Sequence, residues 1–168
     1  MPKVRFQVEF RPKAGEYAMD ETGLDEVQFL MSANVGEDLK PIQKIASGGE
    51  LARIMLALKN VLAEDDGIDS LVFDEVDTGV SGRAAQKVAE KMAQVARKKQ
   101  VLCVTHLPQI AAMADTHFSV EKGERDGRTY TRVERLDRAG RIEELARLIG
   151  GAAVTPALRR SAEELLDQ

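Results

Sequence analysis

Of 168 residues, one is cysteine, none is tryptophan, and aromatics make up only 4%. The single thiol, Cys103, excludes an intramolecular disulfide and leaves nothing from which to build a thiolate zinc site. With so few aromatics, a base-stacking platform for single-stranded nucleic acid has little material. An excess of basic charge is missing too: Lys+Arg 24 stand against Asp+Glu 28, a net charge of -4. A stand-alone DNA or RNA binder normally carries a basic footprint, so that class is disfavoured. No apolar run approaches the roughly 20 residues of a membrane span, and the opening Met-Pro-Lys-Val-Arg-Phe is unlike a signal or transit peptide. No linker, repeat or low-complexity tract divides the chain. The expectation is one domain over residues 1–168, soluble and in a reducing compartment, with 43% hydrophobic residues sufficient for a core.

What is present falls into three stretches. Val4, Phe6, Val8 and Phe10 alternate with polar residues, a strand period, and Val27, Phe29 and Met31 repeat it less cleanly, which predicts an antiparallel pair. Between them Arg11 to Glu21, with Pro12 and Gly15, reads as a turn or loop. From Leu51 the spacing of Leu51, Ile54, Met55, Leu58, Val61 and Leu62 predicts a helix, closed by Asp65-Asp66-Gly67. Leu71–Phe73 then reads as a buried strand, the segment after Ser81 as a second helix, and Val101–Val104 as another buried strand. Helix, strand, helix, strand is the rhythm of an α/β fold with a parallel sheet. The last third predicts a hairpin around Asp126-Gly127 and two helices, the second opened by Thr155-Pro156.

Four short segments carry chemistry. Ser47-Gly48-Gly49-Glu50 stands at a helix start, where uncovered N–H groups and the helix dipole favour an anion; Ser47 and Glu50 also make a capping box, so a plain capped helix is the competing reading. Asp74 and Glu75 follow a predicted parallel strand, the end of such sheets where ligands gather. An aspartate there can hold hydrated Mg2+, and the adjacent glutamate can activate a water. A glycine-rich loop, Val76-Asp77-Thr78-Gly79-Val80-Ser81-Gly82, leads from these acids to the next helix. One strand later comes His106, able to meet a terminal phosphate or the attacking water. Arg53, one turn into the first long helix, could face a partner or DNA, with a solvated charge the simpler reading; His117 has no such context. Singly, each segment has an ordinary explanation. Their joint order is much more specific.

That order resembles the C-terminal half of an ABC-type ATPase head. SGGE matches the signature motif, LVFDE the Walker B motif, VDTGVSG the D-loop, and His106 the switch histidine. The longer matches KPIQKIASGGELARIMLALK and LVFDEVDTGVSGRAAQKVAEKMAQVARKKQVLCVTHLPQIAAMAD narrow it to the SMC-like ATPases of bacterial DNA double-strand-break repair, and RIEELARLIGG agrees. The resemblance implies an α/β fold, the C-terminal lobe of an ABC/SMC-type head, with a parallel-sheet core, helices and an antiparallel hairpin. It implies that Ser47, Gly48, Gly49 and Glu50 belong to the site for ATP held by an opposing head, and that Asp74 serves Mg2+. By the same resemblance Glu75 is the catalytic base, His106 senses the γ-phosphate, and Asp77 lies in the D-loop at the dimer interface.

Nothing in the chain fits G-x-x-x-x-G-K-[ST]. The resemblance therefore implies that an N-terminal P-loop lobe of the same protein and a coiled-coil arm lie outside these residues. It further implies a second head as partner, DNA engaged through the whole protein, no membrane, and a cytoplasmic, nucleoid-associated location in a bacterium. Other readings are another ABC-type half, such as a different SMC-like head or a transporter subunit, and a non-catalytic dimerisation or interaction module. Ala46, where transporters carry leucine, lowers the transporter reading.

Overall fold

Alternation every second residue builds the first strands as the sequence predicts. A computed structural model describes residues 4–14, 18–32, 36, 38–45, 47–62, 67–125, 127–151 and 153–168. They divide into two compact units, 1–47 and 48–168. In the first, β1 (Arg5–Pro12) pairs antiparallel with β2 (Asp25–Ser32), Phe6 opposite Met31, Val8 opposite Phe29 and Phe10 opposite Val27. These six share one face of the ribbon, where Phe6 and Phe29 stack with ring centres 5.8 Å apart. A two-residue β3 (Lys40–Pro41) extends the sheet from β2, and a single turn, α1 (Ile42–Ile45), follows. Within the segment read as a turn the Lys13 ammonium binds Asp20, whose carboxyl is held down at about 2 by that bond first and by Thr22 next, and just past it Gly23 takes φ +105°.

The second unit carries the parallel pair. Helix α2 (Gly48–Leu62) leads to β4 (Ser70–Phe73), α3 (Gly82–Ala96) crosses over, and β5 (Gln100–Cys103) lies parallel to β4 with Leu71 opposite Val101 and Phe73 opposite Cys103. Asp65 and Asp66, read as closing α2, lie outside the described residues. Leu71 and Phe73 turn inward onto Leu56 of α2, Ala89, Met92 and Val95 of α3, and Ile110. Full burial of side chains of this size stabilises by roughly 1.5–3 kcal/mol each. The alternate residues face the other way: Val72 is 70% exposed, Leu102 49% and Val104 64%. One face of the parallel pair is thus packed and the other open.

After β5 comes a helix with too few turns for periodicity to reveal, α4 (Pro108–Ala112), started by Pro108 at its first position. The predicted hairpin follows as β6 (Phe118–Arg125) and β7 (Arg128–Arg135). Its turn residue Gly127 has φ +72°, while Asp126 lies outside the described residues. Helices α5 (Arg138–Gly150) and α6 (Pro156–Leu166) bury Leu145, Ala146 and Ala162 against Ala111 and Ala112. Both start on side-chain caps: Asp137 accepts from Gly140 N–H, and Thr155 accepts from Leu158 N–H, as its cap-and-proline pair predicts. Among the described residues, no helix is long and apolar enough to cross a membrane.

Candidate functional site

The acids read as Walker B occupy the loop that leaves β4. Asp74 is exposed, and its Oδ1 accepts from the Glu75 N–H at 2.9 Å. Glu75 takes φ +58°, the left-handed region, which costs a side-chain-bearing residue roughly 1–2 kcal/mol. The chain then folds through two overlapping turns, Thr78 N–H donating to Glu75 O and Val80 N–H to Asp77 O. Gly79 at φ +74° and Gly82 at +49° carry the loop into α3. Val76 plugs the core with no exposed surface.

Two elements grip this loop from opposite sides. From one side comes the start of α2. A Cβ on Gly49 would lie 2.8 Å from Thr78 O and 2.9 Å from Glu75 O, so the helix backbone rests directly on the loop backbone, an approach only glycine allows. A Cβ on Gly48 would collide with Glu75 Oε2, which puts that carboxylate over the glycine. Arg53, four residues along the same face of α2, donates through Nη1 to Thr78 O at 2.7 Å and Val76 O at 3.2 Å.

From the other side comes the end of β5. Asp77, 4% exposed, accepts two hydrogen bonds on Oδ2, from Thr105 Oγ1 at 2.7 Å and the His106 N–H at 2.9 Å, and His106 Nδ1 lies 3.0 Å from the same oxygen as an ion-pair contact. Burial pushes the Asp77 carboxyl up, but the bonds from Thr105 and His106, with the histidine's charge, outweigh it and hold the group below its ordinary value. Thr105 Oγ1 also accepts from Leu107 N–H, so its orientation is fixed. The His106 ring stays 72% exposed, anchored at Nδ1, which leaves Nε2 for a ligand.

Gly48, Gly49, Asp74, Glu75, Asp77 and His106 therefore come together within the second unit. Glu50 sits half-buried in the first turn of α2; Ser47 is exposed and belongs to the first unit. Asp77, read as lying in the D-loop at a dimer interface, turns its carboxylate inward onto Thr105 and His106. One expectation changes. Arg53, read as a solvated charge, is bound to loop carbonyls; its i+4 spacing from Gly49 is the only sequence signal of this. Thr105, which donates to Asp77, carries no motif of its own to mark that role.

The donor set suits nucleotide and Mg2+ only in part. One exposed carboxylate at a strand end fits an ion that keeps most of its waters and takes other ligands from phosphate. Among the described residues no three His, Cys, Asp or Glu side chains group to hold a metal unaided. Beside Asp74 a cavity of about 360 Å3 opens between α2 and β4, lined by Leu51, Ala52, Met55, Leu71, Val72 and Phe73 as well as Gly48. Lys59 and Asp74 complete that lining, which is mainly apolar.

No protein-family profile matches the chain. Single proteins do. The DNA repair protein RecN of Bacillus subtilis is 53% identical over 150 residues, 89% of this chain and 26% of that protein. RecN of Halalkalibacterium halodurans is 49% identical over 168 residues, 99% of the chain and 30% of the relative, and RecN of Treponema pallidum is 42% identical with the same coverage. The chain belongs to the RecN family. It spans under a third of the length of these RecN proteins and corresponds to their C-terminal portion. Among solved structures, the Smc head domain with coiled coil and joint from Pyrococcus yayanosii matches with a TM-score of 0.58 at 24% identity, covering 83% of this chain and 25% of that one. An SMC ATPase from work on ATP-driven dimerisation and DNA-stimulated activation matches at 0.51 and 22%, covering 76% of each chain. The fold is that of an SMC-type head, as the motif order implied.

Proposed function

We propose that this RecN segment supplies one face of a composite ATP-hydrolysing site, completed by a P-loop lobe of the same protein and by a second head. The observation that carries this reading is the convergence of a glycine-rich helix start, two strand-end acids and an anchored histidine, in a chain with no P-loop lysine of its own. The first turn of α2, which starts on Gly48 and Gly49, brings about half a positive charge to an incoming phosphate. Asp74 holds Mg2+; when bound, the ion neutralises charge on the phosphates. Glu75 orients and deprotonates the attacking water, and His106 meets the γ-phosphate through Nε2 while Asp77 fixes its ring. The open face of β4 and β5 supports the P-loop lobe as its cover, since parallel sheets are covered on both faces.

Two heads that share one phosphate close when ATP is bound and loosen when it is cleaved, so hydrolysis reports head pairing. In the whole protein this cycle acts on DNA during double-strand-break repair, at the bacterial nucleoid. The test is steady-state ATP hydrolysis by the full-length protein and by this chain alone, with Glu75→Gln as control. Loss of a general base of this kind costs about 10²–10⁴-fold in turnover. Hydrolysis by the full-length protein only, lost in Glu75→Gln, is the expected result; hydrolysis by this chain alone would sink the composite-site reading.

A further inference from the structure

The contacts around residues 75–79 form a chain of connections that the roles above do not use. Gly49 lies on the carbonyls of Glu75 and Thr78. One helical turn on, Arg53 holds the carbonyls of Val76 and Thr78 with one guanidinium nitrogen. Between those carbonyls Val76 is locked in the core, and the next residue, Asp77, is bound to Thr105 and His106. The loop is thus pinned to α2 at three carbonyls and to the end of β5 at one carboxylate. It has little room to move independently of either. A guanidinium suits this task because its Nη1 carries two N–H bonds, one for each carbonyl.

We propose that Arg53 is a positioning residue that couples the phosphate-facing start of α2 to Glu75 and His106. When the α2 N-terminus of one head engages a phosphate, Arg53 transmits that seating through the loop carbonyls, so that Asp77 and His106 are aligned in the same head. The site facing the partner and the site within the head are then set together. This rests on the composite-site reading, and goes beyond it by giving Arg53 a role in turnover with no contact to nucleotide. A merely structural Arg53 would contribute stability and leave turnover per folded molecule unchanged.

The experiment uses full-length protein carrying Arg53→Ala, Arg53→Lys, His106→Ala and the Arg53→Ala/His106→Ala pair, each checked by thermal melting. Misplacing a catalytic group by about 1 Å costs up to about a hundredfold. Arg53→Ala is expected to lower kcat by about tenfold or more while KM for ATP stays within about twofold. Arg53→Lys, which keeps a charged N–H donor on a shorter side chain, is expected to recover part of kcat. In the His106→Ala background Arg53→Ala is expected to add less than about twofold, because both act through one alignment. An unchanged kcat, a loss confined to KM, or full multiplication of the two losses would overturn the proposal. If Arg53→Ala does not fold, the kcat of Arg53→Lys decides: equality with wild type overturns it. A Glu75→Gln control that still hydrolyses ATP overturns the composite site along with it. A silent control beside an Arg53→Ala variant of normal turnover overturns this inference alone.

Discussion

Two adjacent glycines at the start of α2 are expected to respond in opposite ways to the same methyl group. In an open helix position Gly→Ala gains about 1 kcal/mol of propensity. At Gly49 the new Cβ would sit 2.8 Å from Thr78 O and 2.9 Å from both Glu75 O and the Thr78 Cβ. Two of these three neighbours are backbone oxygens of a loop held by Arg53 and Asp77, and they cannot swing away. Overpacking of this kind costs about 1–3 kcal/mol, so the clash exceeds the gain and Gly49→Ala is net destabilising by up to about 2 kcal/mol. At Gly48 the obstacle is the carboxylate end of Glu75, which can rotate aside. Gly48→Ala is therefore expected to keep much of its propensity gain while displacing the proposed base. Thermal melting of the chain reads the first effect, at about 2–4 °C per kcal/mol for a protein of this size; ATP turnover of the full-length protein reads the second. The expected order of melting temperatures is Gly48→Ala above wild type above Gly49→Ala, with turnover reduced in both variants. A Gly49→Ala protein that melts as high as Gly48→Ala would refute the close approach of α2 to the loop.

Three further outcomes are expected. Asp77→Asn replaces a charged acceptor of two hydrogen bonds, and bonds to charged groups contribute about 1.5–3 kcal/mol each; since the folded Asp77 is held below its ordinary value of 3.8, its contribution is present above that pH and lost as pH falls below it. Urea melts should thus show a wild-type advantage over Asp77→Asn that is constant near neutrality and shrinks only below about pH 4. His117 has a buried Nδ1 without a partner, and burial, then the Arg141 charge, depress its protonation below the ordinary 6.5. Because the unfolded chain takes up that proton first, wild type should lose stability as pH drops below about 6.5, and His117→Gln should flatten the slope between pH 5.5 and 7.5 in the same melts. Burial, and then the charges of Asp77 and Asp74, push the Cys103 thiol up to about 12, so a maleimide at pH 7.5 should label it only after denaturation.

Much of the fold was legible because its elements are long and periodic. Of the α3 face read from its spacing, Ala85, Ala89, Met92 and Val95 are buried, Val88 is half-buried and Ala96 is exposed; β1 and β2 pair as their period of two predicts, and β6 and β7 follow from the predicted hairpin turn. Helix α4 was not legible, because five residues give no period to count. At the site, residue types and order pointed to the acids, the glycines and the histidine. Their orientations could not be read in the same way. Nothing in a glutamate announces a left-handed φ, which the loop imposes at Glu75. Arg53 finds its partners 23 and 25 residues away, and they are carbonyls, which every residue carries. Asp77 turned inward because Thr105 and His106 arrive beside it through the parallel pairing of β4 and β5, a long-range event.

The open face of that parallel pair also makes the stability of this segment a shared property. Val72, Leu102 and Val104 remain in water, so anything that covers them binds the folded form and not the unfolded one. Such a cover, present at a hundred times its dissociation constant, adds about 2.7 kcal/mol. The melting temperature of these residues is then set by how much covering surface is at hand: tethered on the same polypeptide, supplied in trans, or withheld.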